Sequence, residues 1–150
     1  MDDINNPFYL DVVQRPRVTP EWENKYCGPA ALSRVAGIPV AEATRRLREV
    51  SRLPRIRRVA AAYLEMCLRE DPGVIEKHSF LRRRGPSIEA WVKTQDLSVY
   101  WVLRIAGHYT VVRNGKVFDV GDRIYKIKDY PRRTSKVLDA WKCRLEKVSE

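Results

Sequence analysis

The 150-residue chain has no apolar run approaching the roughly 20 residues that a membrane-spanning helix requires. Its first residues, MDDINNPFYL, are acidic where a secretory signal would be basic and then apolar. The expectation is a soluble protein with no membrane partner. Cysteine is scarce, and Cys27, Cys67 and Cys143 form neither an even disulfide set nor a metal-ligand spacing. That pattern favours a reducing compartment, with the cytoplasm as the default. A glycine-rich phosphate loop, a zinc pattern and a dinucleotide fingerprint are all missing, so no metal and no cofactor are expected. Internal repeats, low-complexity tracts and linkers are missing too, which leaves a single domain over residues 1–150.

What is present suits a folded chain: 44% of residues are hydrophobic and 32% charged, unlike a disordered composition. The charge is lopsided, with 29 Lys and Arg against 19 Asp and Glu, a net +10. Arginines crowd positions 45, 46, 48, 52, 55, 57 and 58, with further groups at Arg82–Arg84 and Arg132–Arg133. Such runs are solvated surface in most proteins, and they also serve as faces for an acidic protein or nucleic-acid phosphates. No aromatic ladder interleaves with them as single-strand stacking would require.

Along the chain, the first 25 residues carry Pro7, Pro16 and Pro20 and read as irregular or extended. Three helices are predicted next. The first spans about Gly28 to Ala36 and stops at Gly37; the second starts at Pro39 with Val40, Ala43, Leu47 and Val50 on one face. In the third, Ile56, Val59, Ala60, Tyr63, Leu64, Cys67 and Leu68 recur at spacings of three and four. VIEKHSF reads as a short strand and PSIEAWVKT as a short helix capped by Ser87. SVYWVLRIA, HYTVVR, KVFDV and RIYKIKDY are rich in β-branched and aromatic residues and read as antiparallel strands. Val137, Leu138, Trp141 and Leu145 suggest a closing amphipathic helix. Helices first and sheet second make an α+β domain.

Two stretches bear on chemistry. In YCGPAALSRVAG, Cys27 stands at the mouth of the first helix, where unpaired N–H groups favour the thiolate. Gly28 leaves room for a substrate backbone, and Pro29 suits the first helical turn. The same arrangement also arises from packing alone, so Cys27 needs a base nearby to read as a nucleophile. In GHYTVVRNGKVFDVGD, the Asn114–Gly115 pair between apolar alternating runs signals a two-residue hairpin turn. Counting outward pairs Arg113 with Lys116, Val112 with Val117 and Val111 with Phe118. His108 and Asp119 then look out on one face as diagonal neighbours, close enough for a carboxylate to accept an imidazole N–H. The remaining ring nitrogen would be free to take the thiol proton. Cys67 and Cys143 read as non-catalytic, the latter partly exposed; His78 reads as a surface histidine, and Tyr100 and Trp101 as core.

LDVVQ, YCGPAAL, GIPVAEATRRL and the hairpin GHYTVVRNGKVFDV together resemble the papain-like cysteine peptidases, in particular the compact bacteriocin-leader-peptidase type, over about residues 10 to 122. The resemblance implies an N-terminal helical subdomain carrying the cysteine, packed on a C-terminal antiparallel sheet carrying histidine and aspartate. Cys27 would be the nucleophile, His108 the general base and then acid, and Asp119 the group that orients it. A glutamine upstream would join the Cys27 N–H in an oxyanion hole, and Gln14 matches it. Where the family keeps that glutamine closer to the cysteine this chain has Glu21, so Gln14 serves only if residues 15 to 25 loop out; Asn24 is the fallback. The activity implied is a cysteine-dependent acyl-transfer hydrolase of peptide or protein substrates, whether peptidase, isopeptidase or amidase. The alternative is a non-catalytic binding protein on the same scaffold, whose arginine-rich face grips an acidic protein or nucleic acid.

Overall fold

The computed structural model describes residues 26–54 and 58–145. Helices α1 (Cys27–Ala36), α2 (Val40–Ser51) and α3 (Ala61–Glu70) come first. Strand β1 (Val74–Ser79) and the short α4 (Ile88–Val92) follow. Then come β2 (Trp101–Ile105), β3 (His108–Arg113), β4 (Lys116–Asp119), β5 (Arg123–Lys126) and β6 (Asp139–Cys143). The strands form one antiparallel sheet in the order β1-β6-β2-β3-β4-β5. The α+β class read from the sequence is what the chain adopts. No helix among the described residues is long and apolar enough to cross a membrane.

Alternation along the strands divides the core between the two faces of the sheet. Tyr100, Val102, Tyr109, Val111, Phe118 and Trp141 pack on one face against α1, α2 and α3. Trp101, Leu103, Ile105, Val112 and Val117 point the other way, onto α4 and onto Tyr130 and Val137. Leu32, Leu47, Leu64 and Leu68 are fully buried on the helical side, each worth about 1.5–3 kcal/mol in apolar transfer.

Local signals set most boundaries. Gly37 closes α1 in the left-handed conformation (φ 69°), returning its N–H to Ser33 O at 3.0 Å. Ser87 caps α4 by accepting the Ala90 N–H at 3.2 Å. The apolar stripe predicted to open the third helix at Ile56 does not do so: α3 begins only at Ala61, and Ile56 lies outside the described residues. Val59 precedes the helix because its carbonyl accepts the Tyr109 hydroxyl at 2.5 Å, tying it to β3.

The closing helix expected over Val137 to Leu145 is instead β6, paired with β1 on one side and β2 on the other. Ala140 stands opposite both His78 and Leu103. A strand buried on both faces shows no clean alternation, and the spacing of Val137, Leu138 and Trp141 imitated a helix by coincidence. Cys143, expected to be partly exposed, is fully buried on this strand.

Candidate active site

Cys27 is the first residue of α1 and is half-buried. Ala30 N–H reaches Tyr26 O at 3.1 Å, so the N–H groups of Cys27 and Gly28 precede the helical ladder, and Pro29 has none. The positive end of the helix therefore lies beside the sulfur. Gly28 is needed here for a reason the sequence did not suggest. Its position is not open to substrate: a Cβ there would come within 2.7 Å of Val59 Cγ2, so the segment leading to α3 fills the space.

The β3–β4 hairpin has the register expected from Asn114–Gly115, with Arg113 opposite Lys116, Val112 opposite Val117 and Val111 opposite Phe118. Both turn residues have positive φ, 51° and 77°, as a two-residue turn of this hand requires. His108 opens β3 and Asp119 closes β4 on the same face. Their Nε2 and Oδ1 atoms lie 2.6 Å apart, with each side chain only 13% exposed. Asp119 Oδ1 also accepts the Val120 N–H at 2.9 Å.

The imidazole in turn acts on Cys27, each favouring the charged form of the other. With Nε2 committed to Asp119, Nδ1 is the nitrogen left for the thiol. Burial pushes the Cys27 thiol up, but the hydrogen bonds from His108 and from the Tyr109 backbone N–H bring it below its ordinary value. Burial pulls His108 down, yet Asp119 and Cys27 more than offset this and hold it at about 9. Burial alone would raise Asp119, while His108 and the Val120 N–H keep it below the usual carboxylate range. All three shifts favour a thiolate beside an imidazolium, itself backed by a carboxylate. The other cysteines differ: burial raises Cys67 and pushes Cys143 up to about 12.

Several participants were not legible in the sequence. The Tyr109 backbone helps bring the Cys27 thiol down, and the Tyr109 ring is part of the helical-side core. The Tyr130 hydroxyl is buried near Asp119 and Thr110 without meeting hydrogen-bond geometry to either. Arg34, two turns along α1 from Cys27, is almost fully buried with its guanidinium 4.6 Å from the Phe118 ring centroid. It lines the same cleft as Cys27 and Asp119. Gln14, Glu21 and Asn24 lie outside the described residues. Of the remaining sequence candidates, Tyr100, Trp101 and Cys67 are core. His78 pairs with Glu76 and packs against the Trp101 ring at 5.3 Å. Among the described residues no group of three His, Cys, Asp or Glu could hold a metal ion.

No protein-family model matches the chain, and no curated protein or solved structure is significantly similar to it. A thiol, an imidazole and a carboxylate in series at a helix mouth can present a nucleophilic sulfur and move one proton.

Proposed function

We propose that this protein is a cysteine-dependent acyl-transfer hydrolase of peptide or protein substrates, built on a papain-like plan. The observation that carries the reading is the 2.6 Å imidazole–carboxylate bond between His108 and Asp119, with the His108 ring acting on the Cys27 thiol. The Cys27 thiolate attacks a substrate carbonyl carbon, forming a C–S bond and pushing the carbonyl electrons onto oxygen. The Cys27 backbone N–H, and Gln14 as the proposed second donor, would face that oxyanion. As the oxyanion collapses, the C–N bond breaks and His108 gives its proton to the departing amine. Water then attacks the thioester, losing a proton to His108 and releasing the acid and the Cys27 thiolate beside the restored imidazolium. Asp119 holds the ring and stabilises its charged form throughout. Three free cysteines fit a reducing location such as the cytoplasm.

The alternative of an arginine-rich helical face as a binding surface loses support from the ion pairing of α2. Arg45 bonds Glu42 at 2.7 Å, and Arg46 bonds both Glu42 at 3.0 Å and Asp71 at 2.9 Å. Those two arginines of the face are neutralised from within.

A peptidyl vinyl sulfone tests the hydrolase reading. The native protein should form an adduct at Cys27 that His108→Ala loses, with both proteins folded by circular dichroism. An adduct forming equally fast in the variant would overturn it.

A further inference from the structure

Resting on the hydrolase reading, we propose that the turn Leu81–Arg84, with Arg132 and Lys136, is a docking surface for an acidic polypeptide segment of the substrate. The sheet register places these residues at the end that carries His108. Ser79 stands opposite Asp139, Asp139 opposite Arg104, and Ile105 opposite His108. The turn begins just beyond Ser79, and Arg132 and Lys136 lie in the segment leading into β6. From β1 to β3 the span is three strand spacings, about 15 Å, within reach of an extended peptide of a few residues.

The turn and the segment are joined rather than merely near. Val137 N–H reaches Pro86 O at 2.8 Å, Ile88 N–H reaches Ser135 O at 3.0 Å, and Ser87 bridges Lys136. Gly85 permits this closeness, because a Cβ there would fall 2.1 Å from Val137 O. Arg84 N–H closes the turn onto Leu81 O at 2.9 Å. At its tip Arg83 has φ 68°, a conformation that favours glycine, and this tight turn carries three consecutive exposed cations.

Arg82, Arg83, Arg84, Arg132 and Lys136 are all exposed, and none forms an ion pair among the described residues. This contrasts with Arg45 and Arg46 of α2, which are both paired. Leu81 is 73% exposed among them, an apolar contact that suits an acidic peptide with interspersed aliphatic residues. A single-stranded nucleic acid would want exposed aromatic rings to stack on, and this surface has none.

The test uses the full chain as Cys27→Ala, so that binding is read apart from turnover. A fluorescent peptide of Glu, Asp and Leu is titrated by anisotropy, with labelled oligo-uridylate in parallel. Arg82→Glu, Arg83→Glu and Arg84→Glu together should weaken peptide binding by about tenfold or more. The control triple Arg48→Glu, Lys93→Glu and Lys128→Glu makes the same charge change elsewhere and should cost less than about threefold. Equal loss in both triples would reduce the surface to net charge and overturn the proposal. So would oligo-uridylate binding more tightly than the peptide and depending on the same arginines. If Cys27 in the native chain proves unreactive, the hydrolase reading falls while this binding result stands on its own.

Discussion

The alkylation rate of Cys27 at low pH tests the proposed chemistry without knowledge of a substrate. A thiol of ordinary pKa is roughly 0.3% ionised at pH 6, and its alkylation slows about tenfold per pH unit below its pKa. A thiolate held beside His108 avoids that decline, an advantage of up to about 300-fold in ionised fraction, which lower intrinsic nucleophilicity trims to about tenfold. Removing the imidazole reverses the sign. Burial, the largest influence on Cys27, raises its pKa, and His108 supplies both the first hydrogen bond and the charge that oppose it. His108→Ala should therefore leave the thiol less ionised than a free cysteine, and iodoacetamide should react about 10- to 100-fold more slowly at pH 6 than with the native chain. Trypsin releases Cys27 in the peptide of residues 26–34, so timed quenching and mass spectrometry give its rate directly. Cys67 and Cys143, both buried with raised pKa, serve as internal references that stay unlabelled until the protein unfolds. A native Cys27 rate that falls tenfold per unit from pH 8 to 6, or a His108→Ala profile that superimposes on the native one, would refute the ion pair.

The imidazolium can be observed by NMR, because the chain has only two histidines and His78→Gln removes the other signal. His108 should keep its proton until about pH 9; Asp119→Asn and Cys27→Ala should each lower that midpoint, since each removes a group that favours the charged ring. A midpoint unmoved by either would contradict the geometry. Gly28→Ala should cost about 1–3 kcal/mol in urea denaturation through the clash with Val59, and Val59→Ala in the same chain should recover part of it. Additive losses would mean that the two do not compete for space. Trp141→Ala should cost about 3–5 kcal/mol, because this fully buried ring on a central strand also donates its Nε1–H to Glu65 at 3.0 Å. The amides of Ala140 to Lys142 should exchange with solvent only on global unfolding, whereas a surface helix would exchange locally.

The legible parts of this chain are those where a short-range rule allows a single answer. A two-residue turn with positive φ at both positions admits one pairing, so Asn114–Gly115 determines the partners of Val111 and Val112, and with them the face shared by His108 and Asp119. Ser87 and Gly37 act through bonds that close within a few residues. The pairing of Arg45 and Arg46 with Glu42 is also local, at helical spacings of three and four, and the sequence could have been read for it. The illegible parts depend on distant chain. β6 acquires its identity from β1 and β2, which flank it and cover its edges. The space beside Gly28 is taken by Val59, a neighbour that exists only after folding. Free and paired arginines look alike in sequence until Asp71 is seen against Arg46 and no acidic partner among the described residues is seen against Arg82.

The site assembles across a division in the core, and Tyr109 is what spans it. Cys27 packs against the helical-side core, whereas His108 and Asp119 point to the opposite face of the sheet, so sulfur and imidazole meet only where β3 begins. Tyr109 follows His108 there. Its ring packs among the helical-side residues, its hydroxyl donates to Val59 O at 2.5 Å, and its backbone favours the Cys27 thiolate. Burial holds its phenol up at about 12, so it stays protonated across the range in which Cys27 and His108 exchange charge. Tyr109→Phe should then cost about 1 kcal/mol of stability from the lost hydrogen bond and leave the pH profile of Cys27 alkylation in place, because the contact with sulfur is made by the backbone. If the variant instead moved that profile by a pH unit while remaining folded, the hydroxyl would be acting on the thiol through Val59 and Gly28, and Cys27 would owe its ionisation to the docking of the α3 approach as much as to His108.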